Sequence, residues 1–597
     1  MAKKSTVKSS EVESWLNKVK FADQCRHDAD LKYGYSRTLA EYRGDYESSM
    51  PSFIKNANLI PINEVSAYTK AFIPSVYSRN PHISFNAKGR RSIGGAKMME
   101  LAVNGYWREL RLKKQIKRVI FDSVFSEGWM KVGFSAIFGS IDPRGDEAPL
   151  EENEYVQDEE IFAIRISPKN IVRDPDAVDG IHDARFVAQR IIKPFDAVRD
   201  SKLYKNKNIR PTSVYDPNKE GKSRKDNTYR GGEVEEFFEF WEIWSLDDEA
   251  VYWVSEGCDG YLRDCEDWPD KYEGYPFEML RFGDNGDEPY APNLITPWEP
   301  QLWEKIKIRS MQMDHIKRFN RQLYSKKGNL SKAQMEKFTR GDTGAVIEGE
   351  SDVPPTPIQY PQLQTDIYGI ESRVDLDKDN ISGQPNAVRS APQKTQSRTL
   401  GEIDRLIAAF QSRQVDPQDE VETFCEEVAY KIAKAMQGYL PGEKFVRATQ
   451  EDAKAIQAAF GPDRFDGSGF NFTRKDIKDV EFEVSVKAGS TLPLDRQGKI
   501  DAMVNILKLG PSIGIGPGSE LPLVIGKNLL AEFEMKEIEL AYDKMLADMA
   551  IQKQIQKAAM MAEQVMRENK IGQAKKMHQE AMAQPPNGAM PPNEAPL

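Results

Sequence analysis

The sequence predicts an α+β fold in which helix predominates, and three observations carry that reading. Two long segments, Gln301–Lys327 and Gln362–Ser382, repeat apolar residues at spacings of three, four or seven, the period of one helix face. The block Val234–Gly257 places two aromatic-rich runs on either side of an acidic turn, the pattern of a β hairpin. A chain of 597 residues is too long for one core, so several subdomains are expected.

Composition narrows the function. A net charge of −10 argues against a dedicated, strongly basic nucleic-acid binder, but not against a protein that lets DNA slide past. No window approaches about 18 consecutive apolar residues, so no membrane span is expected. The charged N-terminus lacks the apolar core of a secretory signal. Four cysteines suit a reducing compartment, and Cys258 and Cys265 read as ordinary thiols.

In chain order, residues 10–45 read as helical, with Val12, Trp15, Leu16 and Val19 ahead of a tyrosine-rich segment. A helix begins near Asn63, is interrupted by Pro74, and leads to a strand closing at Phe85. Two helices follow between Ala96 and Glu127, the second starting at Lys114, then the strand Trp129–Gly139. An acidic loop, Asp142–Glu160, precedes the strand Ile161–Ile166. A helix is predicted over Pro194–Tyr204 and a mobile, lysine-rich linker over Lys205–Arg230. The hairpin Val234–Trp244 and Val251–Gly257 is followed by the strand-like Tyr275–Asp284.

The first long helix would be roughly 40 Å long at about 1.5 Å per residue. Leu302, Ile306, Met313, Ile316 and Leu323 share one side. The opposite side carries Lys305, Lys307, Arg309, Lys317, Arg318, Arg321, Lys326 and Lys327 against only Glu304 and Asp314. The second long helix keeps Leu363, Ile367, Ile370, Val374 and Ile381 on one side and is acidic elsewhere, with Asp366, Glu371, Asp375, Asp377 and Asp379. One narrow apolar stripe per helix suits packing in a bundle, on each other or on copies of themselves. The excess of six cations (eight minus two) on the first helix calls for counter-charge, which the second supplies in the same subunit or the next.

Between them lie a short helix (Lys332–Thr339), a strand (Thr343–Glu350) and the extended PPTPIQYP, together a compact cap. The loop Gly383–Thr399 carries Arg389, Lys394 and Arg398 and no acid, which suits a transient phosphate contact. The helix Leu400–Met436 should kink or break at Pro417. Val480–Gly510 reads as a strand, a turn and an amphipathic helix, Lys527–Ile571 as helix, and the last residues as a disordered tail.

Motifs for catalysis are absent. There is no phosphate-binding G-x-x-x-x-G-K-[ST] loop and no H-E-x-x-H, and the five histidines are scattered. Asp174, Asp176 and Asp179 lack the twelve-residue calcium pattern and read as a turn. No enzyme activity, cofactor or metal is expected.

The order of parts resembles the portal proteins of tailed double-stranded DNA bacteriophages. The carrying residues are the hairpin VEEFFEFWEIW…VYWV before YPFEML, a Pro-rich turn into a long helix ending in KKGNLS, and the insert GDTGAVIEGE. The acidic returning helix, the loop SGQPNAVRSAPQKTQSRT, a Pro-containing helix and the phrase VEFEVSVKAGSTLPLDRQGK complete them. The resemblance implies a portal-type architecture: N-terminal wing (1–296), outgoing stem helix (297–330), clip (331–361), returning stem helix (362–382), tunnel loop (383–399), kinked wing helix with closing strands (400–495), helical crown (496–580) and tail (581–597).

It further implies a dodecameric ring at the unique capsid vertex, a channel for DNA packaging and ejection. Partners would be the terminase large subunit, then head–tail adaptor proteins, with major capsid or scaffolding protein around the ring and duplex DNA passing non-specifically. Location would be the virion, and host cytoplasm during assembly. Arg389, Lys394 and Arg398 would face the DNA. Lys317, Arg318 and Arg321 would pair with Asp375, Asp377 and Asp379 of the adjacent subunit. A non-portal oligomeric scaffold or capsid-associated protein, without a DNA channel, is the alternative.

Overall fold

The structure, a computed structural model, describes residues 10–51, 59–139, 155–201, 203–204, 208–215, 235–268, 274–319, 323–324, 326–340, 356–357, 366–384, 400–440, 444–447, 456–457, 460–461 and 469–487, with 561, 566–567 and 569–575. Two compact units divide between Pro493 and Leu494. In the second unit the described residues between 561 and 575 are helical. The remaining elements belong to the first, a mixed α/β unit with several small sheets.

Helix α1 (Ser10–Tyr33) and α2 (Tyr35–Arg43) are divided at Gly34, whose φ of 71° suits a residue without Cβ. After the single turn α3 (Tyr46–Ser49), α4 (Glu64–Val76) is capped by Asn63, whose side chain accepts from the Ser66 amide at 2.9 Å. Pro74 does not interrupt this helix. It lies in the last turn, where only one backbone bond is forfeited before the helix ends. Strand β1 (Ile83–Ala87) then precedes α5 (Ile93–Glu109) and α6 (Leu112–Phe125).

Strands β2 (Gly128–Gly139) and β3 (Tyr155–Ile166) form a long antiparallel pair. β3 starts six residues before the expected Ile161, because main-chain pairing of Asp158–Glu160 with Ser135–Ile137 is indifferent to side-chain charge. Next come β4 (Ile171–Arg173), β5 (Phe186–Pro194), the short α7 (Phe195–Arg199), β6 (Ser213–Tyr215), β7 (Glu235–Ser245), β8 (Ala250–Val254), β9 (Glu266–Asp267) and β10 (Phe277–Leu280). The helix expected over Pro194–Tyr204 is therefore only α7, since Pro194 closes a nine-residue strand. Part of the expected mobile linker is described: residues 208–212 lead into strand β6, which pairs with β7, while 205–207 and 216–230 lie outside the described residues.

The hairpin β7–β8 forms as the sequence predicts and sits in a six-stranded sheet, β4-β5-β7-β8-β9 with β6 on β7. Side-chain alternation divides its two faces. Phe186, Ala188, Ile243 and Val254 meet Val12, Trp15, Leu16 and Val19 of α1, while Val187, Phe238, Phe240 and Trp244 face a second core. Each such fully buried side chain contributes about 1.5–3 kcal/mol. β10 leaves that sheet and pairs with β2 instead.

The main core joins α4, α5, α6 and β2 to later elements. The later elements are α8 (Glu299–Phe319), β11 (Leu323–Tyr324), α9 (Lys332–Arg340), β12 (Thr356–Pro357), α10 (Asp366–Ser382), α11 (Leu400–Tyr439), β13 (Lys444–Arg447), β14 (Gly469–Phe472), α12 (Arg474–Ile477) and β15 (Phe482–Val486), of which α8, α11, β13, β14, α12 and β15 pack on this core. β1 pairs with β15, so the closing strand returns to the N-terminal region. α11 runs unbroken through Pro417. Burial of Val421, Phe424, Val428 and Ile432 just beyond it outweighs one lost backbone bond.

The first long helix is shorter than expected. α8 ends at Phe319, and Leu323 lies in β11, which pairs with β12. Proline at 357 fixes an extended partner strand there, and the two-stranded contact closes the base of the insert. The strand expected over Thr343–Glu350, the stretch 488–510, most of Lys527–Ile571 and the tail 581–597 lie outside the described residues.

Candidate functional site

The helices α8 and α10 pack against each other as an antiparallel pair, and α8 is rooted in the main core. The root is apolar first: Leu302 and Ile306 of α8 are fully buried, and Val374 of α10 is 4% exposed. Ser310 closes this part of α8, donating to the Ile306 carbonyl at 2.7 Å while its oxygen accepts from the Ile60 amide at 3.0 Å.

Beside the apolar root stands a balanced cluster of two lysines and two carboxylates. Lys305 Nζ lies 2.7 Å from Glu64 and 2.5 Å from Asp375. Lys378, 1% exposed, contacts Glu64 and reaches Asp375 at 3.0 Å. Burial pushes the Glu64 and Asp375 carboxyls up, but the two lysines outweigh it and hold both below the usual carboxylate range. Burial likewise lowers Lys305, and its two carboxylate partners more than reverse that. One turn outward, Arg309 meets Glu371 at 2.6 Å on a more exposed edge.

A second charged group sits at the start of α8. Arg37 grips Glu299 with two bonds of 2.7 and 2.6 Å, and Glu299 adjoins the fully buried Glu41. Trp303 donates to one Glu41 oxygen at 2.8 Å, while the other receives no hydrogen bond. Burial, reinforced by the negative Glu299, lifts the Glu41 carboxyl to about 8. Burial raises Glu299 as well, so the pair favours holding a proton beside Arg37.

Away from these contacts both helices carry bare apolar side chains. Met313 and Ile316 continue the stripe of Leu302 and Ile306 but are 39% and 48% exposed. On α10, Ile370 and Ile381 flank Val374 and are 45% and 46% exposed. Met311 and Leu376, 56% and 58% exposed, lie on the opposite sides of their helices, about half a turn away at 3.6 residues per turn. The helix pair thus presents uncovered apolar side chains on two distinct faces.

The Asp375 carboxylate is engaged by Lys305 and Lys378 of its own chain, the same-subunit form of the charge matching between the two helices. Asp377 is exposed and Asp379 half-buried. Lys317 and Arg318 lie on the last turn of α8 with side chains outside the description, and Arg321 lies outside the described residues, as do Arg389, Lys394 and Arg398. The structure brings in Arg37, Glu41, Glu64 and Lys378, which sequence reasoning missed. Lys378 carried a signal, standing between Asp375, Asp377 and Asp379 in an acidic helix.

In the Asp174–Asp179 turn, Arg185 holds Asp174 at 2.5 Å and Asp176 at 2.6 Å. Among the described residues, no group of three or more His, Cys, Asp or Glu could hold a metal ion, and no helix is long and apolar enough to cross a membrane. No protein-family model matches the chain, and no curated protein is significantly similar to it.

Proposed function

We propose that this chain is a ring-forming structural subunit of the phage portal type. Copies would assemble as a dodecamer at the unique capsid vertex, around a channel for DNA packaging and ejection. The observation that carries the reading is the α8–α10 pair, locked to the core at its root and exposing apolar side chains on two different faces. A head-to-tail ring needs such an arrangement, since each subunit meets one neighbour through one face and the other neighbour through a second. A two-fold dimer would use a single self-complementary face.

In this reading the insert 331–361 docks the terminase large subunit and later the head–tail adaptor proteins, and the wing meets major capsid or scaffolding protein. Arg389, Lys394 and Arg398 face the passing DNA, offering a few phosphate contacts in an otherwise acidic protein, which keeps friction low. The chain's work is assembly and passage rather than catalysis, in the virion and, before that, the host cytoplasm. End-view electron micrographs of the purified protein test the reading. Closed rings of about twelve copies with a central hole wide enough for duplex DNA are expected. Solid particles or open filaments would favour the alternative of a scaffold without a channel.

A further inference from the structure

The first half of α6 violates a local rule. Helix N-termini favour acids, because their free amides carry partial positive charge. Here the first turn has no acid, and Arg111, at a left-handed φ of 52°, is followed by Lys113 and Lys114, then Lys117 and Arg118. None of these five is in an ion pair among the described residues. The nearest carboxylate on the helix, Asp122, is already held by Arg165 at 2.5 and 2.7 Å. The five line an open groove of about 620 Å³ whose floor is apolar, made by Ile73 of α4 and Phe121. The Phe121 ring is fixed between Tyr42 and Phe125, with centroids 5.1 Å away on each side.

Uncompensated cations around an apolar floor ask for a ligand that is acidic at its ends and apolar in the middle. Bare nucleic-acid phosphate would satisfy the rim and leave Ile73 and Phe121 unused. The chain itself contains a segment of the required chemistry. Asp146–Glu154 reads Asp-Glu-Ala-Pro-Leu-Glu-Glu-Asn-Glu, five acids on both sides of Ala148–Leu150 and no base. This segment lies outside the described residues, between Gly139 and Tyr155, which close the described part of the β2–β3 pair. α6 is fastened at the other end of those strands, through Arg165 opposite Met130. Nine strand residues, about 30 Å, separate the two points.

We infer that the α6 groove is a docking site for the acidic segment Asp146–Glu154 of a second copy of this chain. The inference rests on the ring reading for its setting, since each subunit of a ring offers one groove and one segment.

The test uses the full chain with the five acids of 146–154 changed to Gln, so that the groove is vacant, and a fluorescent synthetic peptide of residues 146–154. Anisotropy should report saturable binding, weakened by at least about tenfold in a Lys113→Glu, Lys114→Glu, Lys117→Glu variant. The same variant should bind a peptide whose acids are replaced by Lys. Ile73→Ser should weaken binding several-fold, and Lys→Gln at the three positions gives a milder variant should charge reversal impair folding. Absence of peptide binding, or equal binding to wild-type and reversed grooves, overturns the inference. So does a 20-base-pair duplex that binds the groove tighter than the peptide and is lost in the same variant. Peptide binding by a chain that forms no ring would retain the groove and reject the ring; a ring that ignores the peptide would do the reverse.

Discussion

The two ends of α8 carry the same apolar stripe and meet opposite fates. At the root, Leu302 and Ile306 are fully buried; two and three turns on, Met313 and Ile316 are 39% and 48% exposed. Periodicity specifies which residues share a side, not what covers that side. At the root the cover is the chain's own core, and the charged groups beside it are matched within the chain. Further out, the same chemistry is left for another molecule.

The largest stability effect belongs to the root. Lys378→Met leaves Glu64 and Asp375 buried with one lysine between them, and should cost about 3–5 kcal/mol, read as a lowered midpoint in urea unfolding. The next effect is a pH dependence. The folded chain keeps a proton on Glu41 that the unfolded chain releases above its ordinary value of 4.5. Stability therefore falls as pH rises from about 4.5 through about 8. Glu41→Gln should remove that decline and stabilise the protein at pH 9 by roughly 1–3 kcal/mol, because no buried charge remains. Glu64 and Asp375 act with the opposite sign. Their lowered values give stability that is present at neutral pH and lost on acidification below the usual carboxylate range.

Smaller still is Arg309→Ala. Its partner Glu371 is mostly covered, but Arg309 itself is half exposed, so a loss of about 0.2–1 kcal/mol is expected by thermal melting. The smallest effect on stability belongs to the bare faces. Ile316→Asp with Leu376→Asp should change the melting free energy of the isolated chain by no more than about 0.5 kcal/mol, while abolishing self-association.

Much of the fold was legible in the sequence because local signals agreed with it. The Val12, Trp15, Leu16 and Val19 stripe, the helix beginning near Asn63 and the β7–β8 hairpin are each specified by residues close in sequence. The failures came where distant contacts decide. Nothing near Asp158 reveals that β2 pairs with it, and nothing near Phe319 shows that Leu323 is claimed by Thr356–Pro357. Of the candidate site, the complementary charges of the two helices were visible. Their use was not, since Glu64, 241 residues from Lys305, completes the cluster that turns Asp375 inward.

The most direct measurement of the central claim is the mass of the intact protein and of the Ile316→Asp, Leu376→Asp variant by light scattering. The account predicts a species of about twelve chains for the unaltered protein and a monomer of unchanged melting behaviour for the variant. A monomeric unaltered protein, or a variant that assembles as before, would contradict it.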